Sequence, residues 1–132
     1  MTQELYWLTV TALMTGLLWV PYTLNRIAVL GLTGGMANPS SDEKAKAPWA
    51  IRAKAAHYNA VENLVVFAPL VIATHILGLS NGMTITMCMT YFFARMAHYL
   101  VYTFGIAGAR TVAFAVGLIA QVMLALHLLG LV

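Results

Sequence analysis

The stretch RAKAAHYNAVENLVVFAPLVIATHILGL, residues 52–79, changes character part-way along. Up to Asn63 it carries Arg52, Lys54, His57, Asn59 and Glu62, and from Leu64 onward it has no Asp, Glu, Lys or Arg. A helix rising about 1.5 Å per residue needs about 20 apolar residues to cross hydrocarbon, and counting back that far from Leu79 reaches Ala60. The stretch is a membrane-crossing helix whose mouth is polar, with Glu62 at or inside the hydrocarbon boundary.

The rest of the chain repeats the pattern. Apolar runs occupy residues 5–25, 60–79, 83–104 and 111–131, which gives helices over about 5–31, 49–78, 83–104 and 109–131. The chain is 61% hydrophobic and 8% charged, with mean hydropathy +0.83, where soluble domains carry about 25% charged residues. No repeat or composition shift divides its 132 residues, so a single integral membrane domain is expected. The first run has Glu4 ahead of it and no basic region, so it reads as a retained helix and not a cleaved signal. Pro21 and Pro69 should kink their helices.

Connections set the architecture. GLSNG (78–82) and GIAGAR (105–110) are tight turns between antiparallel neighbours, Gly105 and Gly108 serving the turn, whereas GLTGGMANPSSDEKAKAP (31–48) is long. The fold class expected is an all-α membrane protein, a four-transmembrane-helix up-down-up-down bundle. Arg26, Lys44, Lys46, Arg52 and Lys54 flank the first connection, the second has no basic residue, and Arg110 follows the third. Loops one and three are therefore expected in the cytoplasm, with both termini opposite. Arg26 is an anchor of this kind or a further carboxylate contact. Asp42, Glu43, Lys44 and Lys46 read as a solvated loop.

Two polar stripes face each other. On a wheel of 100° per residue, Arg52, Asn59 and Asn63 fall within about 40° of one another, with Glu62 beside them. Tyr91, Arg95, His98, Tyr99 and Tyr102 share one face of the next helix. A charge at the bilayer centre costs about 2.5 to 3.5 kcal/mol, so Arg95 and Glu62 require partners. One solution is a structural Glu62–Arg95 ion pair. The other counts donors: Arg52, Arg95, Arg110 and the phenols of Tyr99 and Tyr102 outnumber the acceptors, leaving positive charge for an anionic ligand.

These residues carry a resemblance. RAKAAHYNAVENL (52–64) followed by FFARMAHYLVYTFGIAGAR (92–110) resembles the MAPEG family, membrane-associated proteins in eicosanoid and glutathione metabolism, of bacterial type. The resemblance implies a homotrimer of four-helix protomers in a bacterial inner membrane, with glutathione as co-substrate bound between subunits near the cytoplasmic face. It implies that Asn59 and Glu62 contact the peptide part of glutathione, that Arg52 and Arg95 hold carboxylates, and that Tyr102 supplies a hydroxyl. His98 and Tyr99 join this binding set, and Arg110 matches the arginine that stabilises the thiolate, with Arg95 as second catalytic cation. His98 stands where the family often has an aromatic residue. Many members have Arg one turn before the Asn, where this chain has Ala55, and Lys54 could substitute electrostatically but lacks the bidentate fork.

The activity so implied is conjugation of the glutathione thiolate to a hydrophobic electrophile, or reduction of a lipid hydroperoxide. The partners are glutathione, a hydrophobic small molecule or lipid, the bilayer, and two further copies of the chain. The alternative on the same fold is a non-catalytic lipid-binding or scaffold protein. Nucleic acid is excluded by the lack of a solvated basic face. His57, His75, His98 and His127 form no metal box and no Glu-x-x-His pair occurs, so no metal is expected. Cys88 reads as a small buried hydrophobe, and neither a phosphate loop nor a Ser or Cys nucleophile with a base at helical spacing is present.

Overall fold

The computed structural model describes residues 1–38 and 47–132; Asp42, Glu43, Lys44 and Lys46, expected to form a solvated loop, lie outside the described residues. Helices α1 (Gln3–Leu17), α2 (Val20–Met36), α3 (Pro48–Ile76), α4 (Gly82–Phe104) and α5 (Ala107–Leu128) follow in order, with no strand among the described residues. Among the described residues, three stretches are long and apolar enough to cross a membrane: Gln3–Met36, Pro48–Ile76 and Ala107–Leu128. The expected crossing at 83–104 is not among them. Its helix has 23 residues, but the polar stripe lowers its hydropathy, and Tyr91, Arg95, His98 and Tyr99 are turned inward and buried.

The single helix expected over 5–31 is interrupted. Leu18 and Trp19 keep right-handed backbone angles, φ −64° and −73°, yet the regular helix stops at Leu17 and resumes at Val20. Pro21 is the cause, because it has no N–H for the Leu17 carbonyl and its ring presses on that group. Within the break the Tyr99 hydroxyl donates to the Leu18 carbonyl at 3.1 Å. Gly31, at φ 74°, kinks α2, and the chain then coils on to Met36. By contrast α3 runs through Pro69 uninterrupted.

α3 presents Ala50, Ala53, Ala56 and Ala60 as a buried row of small residues. Because they are small, Tyr99 of α4 and the half-buried Leu18, Tyr22 and Tyr102 pack directly against this row. Further along, Phe67 and Val71 of α3, Cys88 and Tyr91 of α4, and Ala120 and Leu124 of α5 form the main core. Phe67 and Tyr91 stack there with ring centroids 3.7 Å apart.

Polar ties fix which helix ends meet. Asn81 and Thr84 form a reciprocal capping box at the start of α4. The Thr84 hydroxyl also donates at 2.6 Å to the Glu4 carboxylate, buried at 1% exposure, so the starts of α1 and α4 lie together. His127, in the last turn of α5, lies 3.3 Å from the Asn81 side chain and 3.0 Å from the Leu79 carbonyl. The end of α5 therefore sits at this same end. The outward faces of α3 and α5, with Val61, Val65, Val66, Ile72, Val112, Leu118, Ile119 and Val122 exposed, suit hydrocarbon and not water.

Candidate functional site

At the opposite end, the turn from α4 to α5 brings three helices together. Gly105 closes α4 in the left-handed conformation, φ 81°, which a residue with a Cβ adopts only under strain. Arg52 of α3 lies across this turn and its Nε donates to the Thr103 carbonyl at 2.9 Å, a cation on the negative end of α4. A Cβ at position 105 would come within 3.3 Å of that Nε.

Arg110, in the first turn of α5, places its guanidinium 4.5 Å from the centre of the Tyr102 ring. No side chain caps the N-terminus of α5, so the positive helix end adds to the charge of Arg110. Two adjoining clefts form around this pair. The larger, about 260 Å³, is lined by Asn59, His98, Tyr102, Arg110, Thr111 and Phe114. The smaller, about 110 Å³, is lined by Arg52, Tyr102, Gly105, Ile106, Ala107 and Arg110. Among the described residues, their linings contain two arginines and no carboxylate.

Of the site residues read from the sequence, Arg52, Asn59, His98, Tyr102 and Arg110 converge here. Three others are placed differently. Arg95 is buried at 1% exposure and lines neither cleft; its Nη2 donates to Asn59 Oδ1, while Nε and Nη1 have no hydrogen-bond partner among the described residues. The Glu62–Arg95 pair does not form, because Glu62 is exposed on the outside of the protomer while Arg95 points into the interior. Tyr99 is committed to the Leu18 carbonyl in the α1–α2 break and contributes no hydroxyl to the clefts.

Lys54 does not replace the arginine missing at Ala55. Positions 54 and 59 are about 140° apart on a helix, and Lys54 instead lines a separate cavity of about 350 Å³ between α2 and α3, with Tyr22, Arg26 and Ile51. Arg26 donates there to the Ala37 carbonyl at 2.8 Å. Asn63 donates to the Asn59 carbonyl at 2.9 Å and accepts on its own carbonyl from Gln121.

Thr111, Phe114 and Gly117 escaped the sequence reading, although a signal existed. Arg110, Phe114, Gly117, Gln121 and Leu124 follow steps of four and three, one inward face of α5 matching the stripe on α4. Phe114 lies beneath Arg95, ring centre 5.7 Å from the guanidinium carbon, and beside His98 at 6.1 Å.

Helices of this length and hydropathy, with an arginine-rich cleft where α3, α4 and α5 meet, agree with one finding. The pattern of the MAPEG family matches residues 5–130, nearly the whole chain. The chain belongs to the MAPEG family. No curated protein and no solved structure matches it. MAPEG proteins are membrane proteins, and their members include glutathione transferases and peroxidases as well as non-catalytic proteins. The match covers every residue of the two clefts in this MAPEG chain, from Arg52 to Phe114.

Proposed function

We propose that this MAPEG protein binds glutathione at the Arg52/Asn59/Tyr102/Arg110 clefts and activates its thiol for attack on hydrophobic electrophiles or lipid hydroperoxides. The observation that carries the reading is a pair of adjoining clefts holding two guanidiniums, an amide and a phenol, with no carboxylate among the described residues that line them. A ligand rich in carboxylates and carbonyls, ending in a thiolate, supplies the acceptors this lining lacks.

In this reading α1 and α2 make one crossing, α4 a further one, and the protomer spans the bilayer four times. The clefts then face the cytoplasm, beside loops one and three. The exposed Glu62 would reach a ligand bound between copies of the chain, which favours a trimer with glutathione at the subunit boundary.

A free thiol with pKa about 8.5 is only a few per cent ionised at neutral pH. Arg110, on the positive end of α5 and steadied over Tyr102, favours the charged form and lowers that pKa. In conjugation the thiolate sulfur bonds to the electrophilic carbon and the leaving group departs with its electron pair. In peroxide reduction the sulfur takes the terminal oxygen, the alcohol leaves, and a second glutathione closes the disulfide with loss of water. Phe114 and the apolar outer faces give a greasy second substrate its approach from the lipid.

Replacing Arg110 by Ala tests the assignment. With a thiol of pKa about 6.5 restored to about 8.5, the ionised fraction at neutral pH falls roughly twentyfold, and the rate with it. The variant's rate should keep climbing up to about pH 8.5, whereas the parent's levels off near neutrality. Unchanged conjugation and peroxidase rates across a panel of electrophiles would reject Arg110. The second reading, a non-catalytic lipid-binding member, draws on Ala55 and on Lys54 facing away from the clefts, and it predicts no glutathione-dependent turnover in the parent protein.

A further inference from the structure

The chemistry of the larger cleft turns on which way one amide points. Asn59 Oδ1 accepts from Arg95 Nη2 and, at 3.5 Å, from Asn63 Nδ2. An amide whose oxygen is engaged by two donors presents its nitrogen elsewhere, and Asn59 lines the cleft together with His98, Tyr102 and Arg110. The reverse orientation would set the amide N–H groups against a guanidinium, donor against donor, in a buried place.

Arg95 is held to this task by shape. Its Nε and Nη1 have no hydrogen-bond partner among the described residues, so hydrogen bonds alone do not fix its course across the bundle. The α5 backbone does, because at Gly117 an added Cβ would lie 3.3 Å from Arg95 Cδ, 3.7 Å from Arg95 Nη1 and 3.7 Å from the Ala94 Cβ. Contacts of 3.0–3.4 Å are tighter than most real Cβ contacts, so a methyl group at 117 makes the Arg95 stem give by a few tenths of an ångström, and the guanidinium it carries toward Asn59 shifts with it.

We infer that Gly117 and Arg95 are positioning residues that hold Asn59 with its oxygen inward and its N–H groups donating into the cleft, so that this wall takes a carboxylate or carbonyl oxygen and rejects an ammonium or amide N–H. The inference rests on the glutathione reading above and sharpens it: Asn59 meets an oxygen of the tripeptide and not its amino group.

The test is calorimetric titration of glutathione into the full chain in phospholipid nanodiscs. Asn59→Asp keeps an acceptor for Arg95 but removes the donor and turns negative charge toward the cleft. It should melt no lower than the parent and bind glutathione more than about tenfold more weakly, as expected when a hydrogen bond to a charged group is lost. Gly117→Ala should weaken binding by about tenfold. In turnover it should raise the KM for glutathione while leaving kcat and the KM for the hydrophobic substrate unchanged, a split that general loosening of the fold does not produce.

Parent-like or tighter binding by Asn59→Asp would show the amide oxygen facing the ligand and overturn the inference, even if Gly117→Ala fails to fold. Parent-like affinity in Gly117→Ala would remove Gly117 from it. A parent protein that takes up no glutathione would bring down the functional reading, and this inference with it.

Discussion

At Arg95 a positive charge lies in the interior of a membrane protein, with the Asn59 amide accepting from one nitrogen and a phenyl ring beneath it. Two of its nitrogens, Nε and Nη1, find no hydrogen-bond partner among the described residues, so the residue does not recover its full desolvation cost. A buried charge that is only partly compensated is often replaceable by a hydrophobe of similar volume without loss of stability. Arg95→Met should therefore keep the parent's melting temperature or exceed it, while glutathione affinity falls because Asn59 loses the donor that orients it. Thermal unfolding and titration on the same sample check both halves. A large drop in melting temperature with affinity intact would mean that Arg95 serves the fold alone.

Among the elements, the break between α1 and α2 shows how far the sequence could be read. Pro21 announced it, yet the residue that fills it, Tyr99, stood in a stripe read as an ion-pair network or a ligand site, with no sign of a partner on the first helix. Nothing in the spacing of α4 says that its face is shared between a cleft and the neighbouring α1–α2 carbonyls, because that depends on which helix packs where. Glu62 illustrates the same limit: the wheel placed it beside Asn59, but only the packing of α3 shows that the buried face, centred on the alanine row, has its edge at the half-buried Asn59 and leaves Glu62 exposed. The turn at Gly105 and the inward stripe of α4 were legible, since each follows from local chemistry. Tyr99→Phe separates the two roles of that side chain. Losing its hydrogen bond to Leu18 should cost about 1 kcal/mol of stability in reversible unfolding and leave glutathione affinity unchanged. Weakened binding at unchanged stability would return Tyr99 to the ligand site.

Over the whole molecule, a small polar payload is distributed through a chain that is otherwise fit for lipid. Glu4, Thr84 and Asn81 tie the helices at one end, and Arg52, Tyr102 and Arg110 gather at the other, where no carboxylate among the described residues lines the clefts. On the function proposed above, that asymmetry separates a structural pole from a chemical one, with the exposed Glu62 on the side where further copies of the chain would complete the site. The central claim is that the chemical pole makes and holds a glutathione thiolate. Ultraviolet difference absorbance of the parent protein in nanodiscs, recorded at neutral pH as glutathione is added, measures this directly. A saturable thiolate band, lost in Arg110→Ala, is the result the account predicts; binding of glutathione with no thiolate band, or a band that survives in Arg110→Ala, would contradict it.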